Sequence, residues 1–147
     1  ALPIWKFKHK LLAVIQHVVI VSQKKALLLR YSAYQGKGVE GLWGLPGGHY
    51  ISGTPKEDLL REVREETGIQ IDCELQLLST YVVMFPDGIE RYGVFYLCNL
   101  GNLPRPEVTL SAEHTEFIWT DLDFAGANNS FIGPFHKKVV EAVLGSI

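Results

Sequence analysis

The chain has 147 residues, of which 47% are hydrophobic and 20% charged, and its formal net charge is −2. That length suits a single domain, residues 1–147, large enough to bury a full core, and the composition excludes a mainly disordered chain. The weak negative charge argues against extended nucleic-acid binding, and no apolar run reaches the roughly 18 residues of a membrane span, because Gln16 and His17 interrupt Leu11–Val21.

No cleavable leader pattern is read at the N-terminus. Cys73 and Cys98 belong to no Cys-x-x-Cys motif and are expected to be reduced core thiols of a cytoplasmic protein.

In chain order, Leu11–Val21 and Ala26–Tyr31 read as strands joined by a hairpin turn at Ser22-Gln23-Lys24-Lys25. Tyr31 to Gly41 carries three glycines and no hydrophobic period, which predicts a loop able to lie beside a ligand. Leu42–Leu45 is a short strand closing on Pro46-Gly47-Gly48. A helix then starts at Pro55: Thr54 and Glu57 form a capping box, Pro55 occupies the first helical position, and Gly68 supplies the stop.

Beyond the helix, Ile71–Leu78, Thr80–Phe85 and Ile89–Asn99 are strand-like, the last two joined by a turn at Pro86-Asp87-Gly88. Asn102–Thr109 is a loop, Glu116–Trp119 a further strand, and Pro134–Leu144 a closing helix with Phe135, Val139, Val140 and Val143 at helical spacing. The class is mixed α/β.

The predicted helix ends in Arg61-Glu62-Val63-Arg64-Glu65-Glu66-Thr67-Gly68-Ile69. At about 100° per residue, Glu62, Glu65 and Glu66 share one arc of the wheel, with Asp58 beside them, while Leu59, Leu60 and Val63 form the neighbouring apolar arc. Clustered carboxylates repel one another, so they serve either as oxygen ligands for a hard divalent cation or as a solvated face balanced by Arg61 and Arg64.

Together with Gly47-Gly48 and Thr54-Pro55 upstream, this stretch resembles the box of the Nudix hydrolase family, G-x5-E-x7-R-E-U-x-E-E-x-G-U, where U is bulky and aliphatic. The second half matches at every specified position. The first half departs from the pattern: counting back from Arg61, the first glutamate falls on Gly53. A weaker likeness runs through Ser111–Trp119.

The resemblance implies an α/β/α sandwich around a mixed sheet. It also implies Mg²⁺-dependent hydrolysis, with Mn²⁺ as a substitute ion, of a phosphoanhydride in a nucleoside diphosphate linked to another moiety. Possible substrates are a nucleoside triphosphate, a nucleotide sugar, ADP-ribose or a dinucleoside polyphosphate. The partner is then a small nucleotide, and a homodimer is possible. The alternative is a domain of the same fold that binds nucleotide without turnover, a reading kept open by the missing glutamate.

Carried onto this chain, the metal set is Glu62, Glu65 and Glu66. Arg61 either orients a glutamate or forms an ordinary ion pair. Glu113 and Glu116 are the candidates for a general base. Gly47 and Gly48 pack beside the site or form a plain turn. Tyr34 and Phe85, with Tyr31, Tyr92 and Phe131, are the aromatics available to a nucleobase. Asp58 is either a support for the metal ligands, replacing the lost glutamate, or a residue favoured by the dipole of the helix start.

Overall fold

The structure is a computed structural model and describes residues 9–33 and 38–147. The predicted first hairpin forms from β1 (Ala13–Ser22) and β2 (Lys25–Tyr31), paired antiparallel at Val21–Ala26 and Ser22–Lys25. Its two-residue turn puts Gln23 and Lys24 at φ 50° and 62°, the left-handed backbone that lets a tight hairpin follow the twist of its strands. β3 is short, Trp43–Gly44, and pairs with β2.

Gly47–His49, where the sequence left packing beside the site or a plain turn open for the glycines, is a strand, β4, lying antiparallel on β1 with His17 opposite Gly47 and Gln16 opposite Gly48. The physical reason is steric. A Cβ on Gly47 would collide with the Gln16 carbonyl oxygen and the His17 backbone, so only glycine lets the two chains approach this closely.

α1 (Pro55–Thr67) begins and ends as its sequence directs: the Thr54 hydroxyl accepts from Glu57 N–H, and Gly68, at φ 72°, donates its N–H to the Arg64 carbonyl. Where two strands were expected over residues 71–85, there is one, β5 (Gln76–Met84), with a register shift between Leu77 and Ser79. Gln76 pairs with Leu97, near the end of β6 (Glu90–Asn99), and the ladder has no further partner for the residues before it. β7 spans His114–Thr120. A short helix not foreseen, α2 (Leu122–Ala127), precedes the closing helix α3 (Gly133–Ser146).

The sheet runs β3-β2-β1-β6-β5, with β4 on β1 and β7 on β2. β1 and β6 are parallel from Ala13 to Val21, and the other pairs are antiparallel, so the sheet is mixed. Alternation along β1 divides the core. Val18 and Ile20 pack with Leu59 and Val63 of α1, whereas Val19 and Val21 pack with Val140, Val143 and Leu144 of α3. The expected α/β/α sandwich is thus realised. Among the described residues no helix is long and apolar enough to cross a membrane.

Cys73 and Cys98 are joined as a disulfide, which corrects the expectation of two reduced thiols and removes that support for a cytoplasmic setting. Their separation of 25 residues gives no local signal. The pairing exists because the chain leaving α1 returns beside the end of β6.

Candidate active site

The acidic arc of α1 lands where three segments meet. β4 lies along it on one side. Residues 109–114 approach from the other, because the N–H groups of Thr109 and Ser111 donate to the Thr67 and Glu66 carbonyls, which the helix end would otherwise leave unpaired. The four carboxylates of the arc therefore have different surroundings.

Glu66 is buried, and its Oε1 accepts the Gly47 N–H at 2.9 Å. Burial pushes its pKa well above the usual carboxylate range. The Gly47 hydrogen bond opposes this, while Glu62, Glu113 and Glu65 reinforce it. Glu62 is half-buried against Gly48, where an added Cβ would strike its carboxylate. Its pKa is raised to about 7, chiefly by burial, with Arg61 opposing and Asp58, Glu113 and Glu65 adding to the rise.

Glu65 points outward, its side chain 61% exposed, and is held by Arg61 at 2.9 Å. Asp58 is 3% exposed. Burial alone would raise its pKa, but hydrogen bonds from the Arg61 side chain and from the Ile51 and Ser52 N–H groups hold it below the ordinary value.

Arg61 thus spans Asp58 and Glu65 at 2.9 Å each and stands 3.8 Å from Glu62. Among the described residues Glu66 has no such arginine or lysine. Burial and the neighbouring carboxylates disfavour the ionised form of Glu62 and Glu66, and a nearby cation would restore it. A divalent cation bound through oxygen does this, so the residues present fit one.

Among the described residues, the potential ligand atoms that converge within 4.8 Å of one another belong to Glu66, Glu113 and His114. Of the sequence-derived metal set, Glu66 takes part in this group; Glu62 and Glu65 flank it. Of the two proposed bases, Glu113 adjoins Glu66, whereas Glu116 is paired with Arg30 at 2.9 Å and lines a cleft of about 450 Å³ with Trp43, Leu110, Ile118 and Phe124.

The aromatic candidates separate. Tyr34 lies outside the described residues. Phe85 packs under the Arg91 guanidinium at 3.9 Å. Tyr31 packs against His114 with the rings tilted by 49° and their centroids 4.8 Å apart, and Phe131 is a core residue. Tyr92 sits on β6, partly exposed.

Two residues carry no role in the sequence pattern and gain one from the fold. Arg91, nearly buried, bonds His49 Nε2 at 2.9 Å and Asp87 at 2.8 Å, tying the β5–β6 hairpin to the strand that carries Gly47 and Gly48. His114 stands between the two glutamates chosen as bases. Its position in that acidic segment was the available signal. Burial lowers its pKa to about 4, so the ring is neutral near pH 7.

An acidic helix end thus faces a glycine strand within an α/β/α sandwich, with oxygen ligands placed where a divalent cation would fit. A family model described as NUDIX domain matches residues 11–143, and the chain belongs to the Nudix family of pyrophosphohydrolases.

Solved structures agree on the fold. A MutT protein from Methanosarcina mazei Go1 is 23% identical, with 95% of this chain and 97% of that one covered and a TM-score of 0.75. A C. elegans Ap4A hydrolase in a binary complex is 22% identical over 92% and 100%, with a TM-score of 0.70. The NUDIX domain of Shewanella oneidensis NrtR, complexed with ADP ribose, is 21% identical over 99% and 93%, with a TM-score of 0.68.

Proposed function

We propose that this protein hydrolyses a phosphoanhydride bond in a nucleoside diphosphate linked to a second moiety, with Mg²⁺ as its ion. The observation that carries the reading is the buried Glu66 carboxylate, fixed by the Gly47 N–H and set among Glu62, Glu65 and Glu113 with no arginine or lysine bonded to it among the described residues. A bound divalent ion supplies charge screening for the phosphates and a more acidic water.

The chain's own groups do the rest. Glu62, Glu65 and Glu66 furnish ligand oxygens. Gly47 orients Glu66 through its N–H, and the bare backbone of Gly48 leaves room for Glu62. Arg61 positions Glu65 and is itself anchored by Asp58. Glu113 receives the proton of the attacking water; its convergence with Glu66 favours it over Glu116, whose carboxylate is engaged by Arg30.

The nucleotide and its appended group determine specificity through the loops around the site, and an Ap4A hydrolase and an ADP-ribose complex among proteins of this fold make dinucleoside polyphosphates and ADP-ribose worthwhile first substrates.

The test is a panel of nucleoside triphosphates, nucleotide sugars, ADP-ribose and dinucleoside polyphosphates with Mg²⁺, identifying both products of each cleavage. Activity is expected to vanish in EDTA and return with Mg²⁺ or Mn²⁺. Glu65→Gln and Glu66→Gln should each lower turnover by at least about tenfold, or ~1.4 kcal/mol of transition-state stabilisation. Near-normal rates in both variants, or hydrolysis that persists in chelator, would exclude this mechanism.

A further inference from the structure

His114 opens β7, opposite Tyr31 on β2, and follows directly on Glu113. Its side chain is 0% exposed, and among the described residues neither Nδ1 nor Nε2 has a hydrogen-bond partner. A buried polar atom left unpaired is costly, so an imidazole with both nitrogens idle calls for a ligand.

The ring is aimed at one. Nε2 stands 3.8 Å from Glu66 Oε2, too far for a hydrogen bond, and a ligand atom from each of Glu66, Glu113 and His114 lies within 4.8 Å of the other two. Two ligands at about 2.1 Å from a shared ion are separated by up to ~4 Å, so a small inward movement would close this group around one cation. The sequence suggested a site of oxygen donors only; the fold adds a nitrogen.

We propose that His114 Nε2 joins Glu66 and Glu113 in a mixed nitrogen–oxygen site that favours a divalent ion of the first transition row over Mg²⁺. The inference shares Glu66 and Glu113 with the hydrolase reading and assigns Glu113 to the ion in place of the proton of the attacking water. Mg²⁺ is hard, keeps oxygen ligands and gains little from an imidazole, whereas Mn²⁺ and, more strongly, Co²⁺ accept nitrogen readily. The fixed geometry of the helix end favours such a site. Glu66 is held by Gly47, and the segment carrying Glu113 and His114 is bonded to the last carbonyls of α1.

The decisive experiment is pulsed electron paramagnetic resonance of the wild-type protein with one equivalent of Mn²⁺, looking for ¹⁴N coupling from a directly bound imidazole. Calorimetric titrations with Co²⁺ and Mg²⁺ accompany it. Coupling is expected in the wild type and in His49→Asn, and is expected to be lost in His114→Gln. The same variant should bind Co²⁺ about tenfold more weakly while its Mg²⁺ affinity changes less than about threefold.

Mn²⁺ bound without nitrogen coupling, no ion bound at all, or equal losses for Co²⁺ and Mg²⁺ in His114→Gln would overturn the proposal. If that variant does not fold, the wild-type and His49→Asn spectra decide alone, coupling in both supporting the site and its absence from the wild type refuting it. Mg²⁺-supported hydrolysis without nitrogen coupling removes this inference and leaves the hydrolase reading intact. Nitrogen coupling in a protein that cleaves no phosphoanhydride does the reverse.

Discussion

Arg61 and Asp58, three residues apart on α1, are joined at 2.9 Å, and the Asp58 carboxylate is almost wholly buried while the guanidinium is one-third exposed. Because the same Asp58 also accepts N–H groups from Ile51 and Ser52, it fastens the loop before the helix to the arginine that holds Glu65. Asp58→Asn keeps the shape but weakens the charge-assisted bond. The Mg²⁺ concentration for half-maximal activity is expected to rise about tenfold, the usual scale for losing a group that orients metal ligands. A value and a maximal rate within about twofold of wild type, ~0.4 kcal/mol, would reduce Asp58 to a residue of the helix start.

Gly48 tests the placement of Glu62. Its backbone needs no left-handed angle, so alanine is tolerated conformationally, yet the new methyl would occupy the position of the Glu62 carboxylate. Since the end of a flexible side chain can swing away, Gly48→Ala should keep its thermal midpoint within about 3 °C, a change of ~1 kcal/mol, and lose at least about tenfold in activity. Unchanged kinetics would show that Glu62 is not needed where it lies.

The Cys73–Cys98 bridge closes a loop across 25 residues of sequence. Reducing it restores entropy to the unfolded chain worth ~3–4 kcal/mol, which for a domain of this size lowers the melting temperature by about 6–16 °C. Scans with and without dithiol reductant measure this, and Cys73→Ser should reproduce the reduced value. Identical melting curves would mean that the two sulfurs are not bonded in solution.

His136 provides a pH prediction away from the acidic cluster. Its Nδ1 accepts the Leu45 N–H at 3.1 Å inside the core, and burial lowers its pKa to about 3. A folded-state pKa below the unfolded value of roughly 6.5 means that the unfolded chain binds the extra proton first. The contribution is therefore complete above about pH 6.5 and is lost as pH falls from there toward about 3, at up to ~1.4 kcal/mol per unit. His136→Asn keeps an acceptor for Leu45 without titrating, so it should flatten the acid limb of stability against pH in denaturant titrations even while lost ring contacts with Phe95 lower the whole curve. An unaltered slope would assign the acid sensitivity elsewhere.

Local signals are sufficient to define α1. Thr54, Pro55 and Gly68 act on their own neighbours, and the acidic and apolar arcs follow from helical geometry alone. The family resemblance, carried by Arg61–Ile69, likewise needs only order in sequence.

What the sequence leaves undecided depends on distant backbone. Gly47 and Gly48 are turn formers in isolation, and they become strand β4 because the absence of a Cβ lets them close on Gln16 and His17. The Cys73–Cys98 bond spans segments whose approach is fixed only when β6 pairs with β1 and β5. Glu62, Glu65 and Glu66 are equivalent on a helical wheel, yet packing against β4 and residues 109–114 buries Glu66, half-buries Glu62 and leaves Glu65 to Arg61. The same packing turns His114 toward Glu66, across a separation that no periodicity encodes. Spacing fixes which residues share a face of an element, but burial and the electrostatics that follow from it belong to whatever the fold lays against that face.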